Sequence, residues 1–306
     1  MKVVILCSSD VLALPGIAQL QQQKQLQAVC VTVKTKSILI PVFLQLGIDS
    51  ENIYVLEKVN LENQLVSILN KYQPDALLTL TFSYQIPVKV LEMLPGRCIN
   101  FHFGLLPKYR GSDPIFWQIK NREQKGGIAV HTMNEQIDCG DILHIATLPI
   151  LKEDTYGMHG VKLGMLAAQL MANLNTIVTA QPLSQQLITD TDYFKPPGQQ
   201  MLTIDWHNQT AESIIALVNA ANPKYDGAIT IIKQQPVKIL ELSIVNVNTE
   251  QVFLPGTIVH ADYNYGLIVA CINKLFVQIN LVHVNEGYLS GIKLFSLGLQ
   301  IGDQFI

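Results

Sequence analysis

Over its first 180 residues the chain alternates short, unbroken apolar runs with longer stretches of helical periodicity. Runs at residues 3–7, 28–33, 53–56, 76–81 and 97–102 carry almost no polar interruption, the pattern of strands covered on both faces of a parallel sheet. Residues 13–23, 38–46 and 61–72 between them read as helices. Such β–α–β alternation predicts an α/β fold with a doubly wound, mostly parallel open sheet. Residues 128–133 and 142–149 add two more strands. A Leu-, Met- and Ala-rich stretch over 155–179 predicts one long closing helix, and this first domain is expected to span residues 1–185.

The pattern then breaks. Asp190-Thr191-Asp192 and Lys195-Pro196-Pro197-Gly198 combine polar and breaker residues, which predicts a linker over 186–203. From 204 to 306 the character changes to one helix, 211–221, and short strands at 228–232, 237–247, 256–260, 266–271 and 275–281. Turn pairs fall at Asp226-Gly227, Pro255-Gly256 and Asn273-Lys274. Short strands at close spacing predict a small C-terminal β-barrel, OB-like in size.

Composition narrows the function. Hydrophobic residues make up 49% and charged residues 15% of the 306, so both domains have material for a packed core. The formal charge is −3, and the only arginines are Arg97, Arg110 and Arg122. Residues 196–306 hold five Lys, no Arg and eight Asp plus Glu, a poor platform for a phosphate backbone, so a large nucleic-acid interface is not expected. The five cysteines are scattered without a C-x-x-C, as in a reduced cytoplasmic protein. The apolar start is too short for a signal sequence, and no run reaches the roughly 20 residues a membrane span needs.

The most informative stretch is Cys98 to Trp117, C-I-N-F-H-F-G-L-L-P-K-Y-R-G-S-D-P-I-F-W. Asn100 and His102 lie two apart on one strand and so share a face. They leave the sheet at the end where open α/β sheets bind ligands. Farther on, Val130-His131 leads to Asp138-Cys139-Gly140-Asp141, a strand followed by an acidic turn. Taken singly, Asn100 would serve as a strand-end cap, His102 as a buried imidazole and Asp138 as a turn residue. Together an amide, an imidazole and a carboxylate make a site for acyl transfer, with His131 expected behind them. The first strand ends in Cys7-Ser8-Ser9-Asp10 without G-x-G-x-x-G, so no NAD site is expected. Ser8, Ser9 and Asp10 either bind an acceptor or cap the next helix. The remaining histidines show no metal-ligand spacing, and no metal is expected.

These residues resemble the folate-dependent formyltransferases, the group acting on methionyl-tRNA, glycinamide ribonucleotide and amino sugars. That family carries N-x-H, then S-L-L-P-[KR]-[YFW]-x-G, then an aspartate in an L-D-x-G turn. The matching positions are Asn100, His102, Leu105, Leu106, Pro107, Lys108, Tyr109, Arg110, Gly111 and Asp138, with Gly104 in place of the serine. Ile204-Asp205-Trp206 and Asn222-Pro223 resemble the family's C-terminal domain. The resemblance implies a 10-formyltetrahydrofolate-dependent N-formyltransferase. Asn100 would donate to the oxyanion, His102 would handle the proton, and Asp138 would orient and polarise the pair and help deprotonate the amine. It implies a slot for the folate ring lined by Phe82, Ser83, Tyr84, Gln85, Ile86, Pro87 and Leu105 and by Asn134, Glu135, Gln136 and Ile137. Lys108 and Arg110 would meet an acceptor phosphate or face solvent. The tRNA-specific relatives carry a basic insertion after the second strand and a positively charged C-terminal domain. The acidic C-terminal domain here favours a smaller primary amine, on an amino-sugar nucleotide or a carrier-protein-bound aminoacyl group. The alternatives are a methionyl-tRNA formyltransferase, a formyltetrahydrofolate deformylase and a non-catalytic folate-binding protein.

Overall fold

Every residue of Val3–Cys7 (β1) and of Ala76–Leu80 (β4) is buried, and these two strands form the centre of the first unit. The computed structural model describes residues 1–184, 186 and 193–306; the expected Asp190-Thr191-Asp192 linker signal lies outside them. The N-terminal part runs β1, α1 (Asp10–Gln22), β2 (Leu26–Thr32), α2 (Lys36–Gln45), β3 (Ile53–Leu56), α3 (Leu61–Tyr72), β4, α4 (Val88–Met93) and β5 (Cys98–His102). It continues through β6 (Arg110–Gly111), α5 (Pro114–Lys120), β7 (Lys125–Thr132), β8 (Ile142–Pro149), α6 (Tyr156–Ala172), α7 (Leu174–Val178) and β9 (Tyr193–Phe194). Seven strands form one sheet in the order β3-β2-β1-β4-β5-β7-β8. The first five are parallel, while β7 and β8 run antiparallel to their neighbours. The sheet is thus mostly parallel, as the apolar runs predict. The chain winds outward from β1 to β3 and restarts at β4, so the carboxyl ends of β1 and β4 flank a switch point of the kind that opens a ligand crevice.

The expected single helix over 155–179 is two helices, α6 and α7. They part at Asn173, whose side-chain amide donates to the Gln169 carbonyl at 3.2 Å and so competes with the helix ladder.

Contacts divide the chain into two compact units. The first holds Met1–Pro114, Lys125–Pro149 and Gly160–Lys195, and the second holds Ile115–Gln124, Ile150–His159 and Pro196–Ile306. Beyond α8 (Gln199–Leu202), helix α9 (Ala211–Ala221) in the second unit starts at Thr210, whose hydroxyl accepts the Ser213 N–H at 3.2 Å. It is followed by β10 (Ala228–Ile232), β11 (Gln235–Val245), β12 (Ile258–Asp262), β13 (Gly266–Ala270), β14 (Phe276–Val284), β15 (Gly287–Ser290) and α10 (Gly291–Phe295).

These strands form an antiparallel sheet ordered β10-β11-β14-β13-β12, with β15 also on β14. The expected closed barrel is not made strand to strand, because among the described residues β10 and β12 do not pair with each other. Instead the stretch from Gly302 to Ile306 bonds to both. Ile306 exchanges two backbone hydrogen bonds with Ile231 at 2.9 Å, and the Ile258 N–H donates to Asp303 at 2.8 Å. Phe305 is fully buried with its ring 5.8 Å from that of Trp206. Among the described residues no helix is long and apolar enough to cross a membrane.

Candidate active site

Three neighbouring strands deliver one row of polar side chains. Register pairs Thr79 on β4 with Asn100 on β5, and Asn100 with His131 on β7. His102 lies on the same face of β5, since side chains alternate. Asp138 arrives from the turn between β7 and β8. That turn is tight: Asp138 has φ +56°, and a Cβ on Gly140 would run into the Thr132 carbonyl oxygen. Gln186 holds the turn, its amide donating to the Asp138 carbonyl at 3.0 Å and to the Gly140 carbonyl at 2.7 Å.

The hydrogen bonds fix the orientation of each group. Thr79 Oγ1 donates to Asn100 Oδ1 at 2.7 Å. Asn100 Nδ2 therefore faces the site, 3.0 Å from His131 Nε2 and 3.2 Å from Asp138 Oδ1. His131 Nδ1 lies 2.7 Å from the Thr132 carbonyl, which places the proton on Nδ1 and leaves Nε2 to accept from Asn100. His102 Nε2 donates to the Tyr109 carbonyl at 2.8 Å, so its Nδ1 is bare and lies 3.6 Å from Asp138 Oδ2. Asp138 also accepts the Gly111 N–H at 3.0 Å.

Burial acts oppositely on the two central groups. It pushes the Asp138 carboxyl up, but His102 and His131 beside it and the Gly111 N–H outweigh burial and hold it well below the usual carboxylate range. Burial lowers the His102 pKa, and the pull of Asp138 does not restore it. These directions favour an ionised Asp138 beside a neutral His102, whose Nδ1 is placed to accept a proton next to the carboxylate.

The other sequence-predicted residues divide. Gln85 Nε2 donates to the Glu135 carbonyl at 2.9 Å and ties the 82–87 and 134–137 segments together. Phe82 and Tyr84 meet edge-on at 5.5 Å, and Ile86 is buried. Among the described residues the main chain of Phe82–Ile86 makes no hydrogen bond to other backbone groups, which leaves its N–H and C=O groups open to a planar polar ring. Asn134 Oδ1 accepts the Gln136 N–H at 2.9 Å, and Ile137 is exposed. Leu105 packs over Gly127 on β7.

Arg110 is buried, its Nη2 donating to the Ile137 carbonyl at 3.3 Å, so it braces the turn that carries Asp138. Lys108 is exposed, its ammonium 5.0 Å from the centre of the Tyr109 ring. Ser9 caps α1, accepting the Leu12 N–H at 3.4 Å. Ser8 Oγ lies 3.3 Å from Ser83 Oγ, and Asp10 accepts the Val11 N–H at 2.7 Å. A Cβ on Gly104 would lie 2.6 Å from Pro114 Cβ and 2.9 Å from His102 Nε2, so the missing serine lets this loop fold tightly over His102. Among the described residues no group of three or more His, Cys, Asp or Glu side chains is placed to hold a metal ion.

Sequence reasoning passed over Thr79 and Gln186. The signal for Thr79 is a lone hydroxyl in the strand A-L-L-T-L, buried throughout; Gln186 carries none.

Known proteins resemble this chain at two levels, sequence and fold. The Formyl transferase model matches residues 1–173, and the Formyl transferase, C-terminal domain model matches residues 198–296. The methionyl-tRNA formyltransferase of Clostridium novyi is 32% identical over 225 residues, which cover 72% of this chain and 71% of that protein. In fold, the N-formyltransferase from Helicobacter canadensis, solved with folinic acid and dTDP-3-aminofucose, is similar at TM-score 0.67 and 19% identity, covering 91% of this chain and 98% of that one. HypX from Aquifex aeolicus, solved with tetrahydrofolic acid, is similar at TM-score 0.67 and 16% identity over 99% of this chain, which spans only 50% of the HypX chain. The two family models together run through both parts of the sequence, and the chain belongs to the formyl transferase family, a family of formyl-transferring enzymes.

Proposed function

We propose that this chain moves the formyl group of 10-formyltetrahydrofolate to a primary amine on a small or carrier-borne acceptor, with Asn100, His102 and Asp138 as the working groups. The observation that carries this is their convergence: the Asn100 amide is 3.2 Å and the His102 imidazole 3.6 Å from one ionised, buried carboxylate. The folate fits the chain by its backbone, since the open main-chain groups of Phe82–Ile86 and the neighbouring 134–137 turn would hold its ring. Bound there, it supplies a formyl group activated on nitrogen.

The chain's own residues do the rest. Asn100 has both amide hydrogens engaged, one by His131 and one by Asp138. To stabilise an oxyanion it must hand one of them over, and that exchange is part of binding. Neutral His102 accepts a proton from the attacking amine at Nδ1, where Asp138 stabilises the imidazolium that results. The donor's nitrogen then recovers a proton from the same pair.

The acceptor reading rests on charge. An acidic C-terminal part with no arginine repels a phosphate backbone. The Helicobacter neighbour was solved with an amino-sugar nucleotide, in keeping with that reading. A second reading, formylation of methionyl-tRNA, is favoured by the activity named for the curated relatives.

The test is tetrahydrofolate release from 10-formyltetrahydrofolate against amino-sugar nucleotides, aminoacyl carrier proteins and charged initiator tRNA. Turnover with one of the first two supports the proposal. Turnover with tRNA alone replaces it with the second reading, and turnover without any amine marks a hydrolase and overturns both.

A further inference from the structure

Thr79 is the one polar side chain on β4, and its residue is only 4% exposed. A hydroxyl taken out of water is unfavourable there unless it finds a partner. It has one proton to give. The acceptors within reach are Asn100 Oδ1 at 2.7 Å and the Met133 sulfur at 3.6 Å. Sulfur is a weak acceptor, so the proton belongs to Asn100.

The consequence lies in the symmetry of an amide. Its two ends are nearly the same shape, and rotation about χ2 exchanges oxygen for nitrogen. With Oδ1 held by Thr79, Nδ2 faces His131 and Asp138. The flipped amide would turn an oxygen toward the Asp138 carboxylate and the bare nitrogen of His131. In the resting site three partners thus agree on one orientation, but two of them, His131 and Asp138, belong to the group that rearranges when substrate takes an Asn100 hydrogen. Thr79 lies behind Asn100 on the neighbouring strand and takes no part in proton movement.

We infer that Thr79 is a positioning residue: its hydroxyl keeps the donor edge of the Asn100 amide turned toward the reacting groups throughout the cycle. The inference rests on the reading of Asn100 given above and deepens it.

The experiment compares Thr79→Val, Thr79→Ser and Asn100→Ala in the full chain, with Thr79→Ala as a second hydroxyl-free variant should Val disturb packing. Two readouts are taken. The first is the Asn100 side-chain amide resonance pair in protein labelled with ¹⁵N-asparagine, assigned by its loss in Asn100→Ala; it needs no turnover and stands even if every acceptor fails. In Thr79→Val this pair should shift toward the values of a free asparagine, and in Thr79→Ser it should stay in place.

The second readout is kcat and KM with whichever acceptor turns over. Thr79→Val should lower kcat about tenfold with KM for the folate within about twofold, the size typical of a supporting residue. Thr79→Ser should recover most of that loss. In the Asn100→Ala background Thr79→Val should change nothing further, because its effect passes through that amide. The inference is overturned if the resonances stay put in Thr79→Val, if Ser is as damaging as Val, or if Thr79→Val lowers turnover equally in the Asn100→Ala background.

Discussion

Replacing Asp138 with Asn keeps the shape of the side chain and removes its charge. Oδ2 lies 3.6 Å from His102 Nδ1, the nitrogen proposed to take up a proton. A full charge pair at that distance and an effective dielectric near 20 interacts by about 4.6 kcal/mol. Part of this is offset, because the pair is buried and Asn still offers an oxygen to Gly111. If roughly 2.7 kcal/mol of it is expressed in the transition state, kcat falls about 10²-fold.

The pH profile gives an independent check. On the proposed mechanism activity needs neutral His102, so the acid limb reports its protonation, displaced below the ordinary histidine value by burial. Without the carboxylate the imidazolium loses its stabilising partner, and the limb moves to still lower pH. Stability changes in the matching sense. The folded-state pKa of Asp138 is depressed, so its contribution is present at neutral pH and is lost as pH falls below the unfolded value through the folded one. Asp138→Asn should therefore be less stable at pH 7 and show a shallower acid dependence in thermal melts. Turnover within threefold of the native enzyme, or an acid limb that stays where it is, would refute this account of the pair.

Further outcomes follow from the same geometry. Asn100→Ala should lower turnover by about 10²-fold or more with an unchanged circular dichroism spectrum, as expected for loss of an oxyanion donor. Phe305→Ala removes a fully buried ring packed on Trp206 and should destabilise the protein by about 3–5 kcal/mol in urea titrations. All five cysteines are free and buried, and burial pushes the thiols of Cys7, Cys98 and Cys271 up to about 12. Ellman's reagent at pH 8 should accordingly label these three only after unfolding.

Much of the fold was legible wherever pattern and local chemistry agree. The helices at 61–72 and 211–221 and the strand at 142–149 stand where periodicity places them. What stayed hidden depends on distant partners or on turn types without the usual residues. The β10–β11 turn takes two left-handed residues, Lys233 and Gln234, neither a common choice. Helix α4 is too short to show a period. The open second sheet is bridged by residues some 75 positions from Ile231, which no local pattern announces. In the site, Asn100, His102 and Asp138 were visible from residue type and spacing, whereas Thr79 and Gln186 act on groups 21 and 48 residues away.

The row that carries Thr79, Asn100 and His131 crosses the middle of a seven-stranded sheet, while the segment expected to hold the donor has no backbone ladder of its own. Opening energies should differ accordingly. Amides of β4 and β5 should exchange with solvent only when the whole unit unfolds, and those of residues 82–86 from the native state, which hydrogen exchange would read directly. The proposed chemistry is thus carried on sheet strands, and the proposed donor slot on a segment held by side chains, the Gln85 amide and buried Ile86, rather than by a ladder. On the proposed reading, substitutions between Phe82 and Ile86 should change KM for the folate more than kcat.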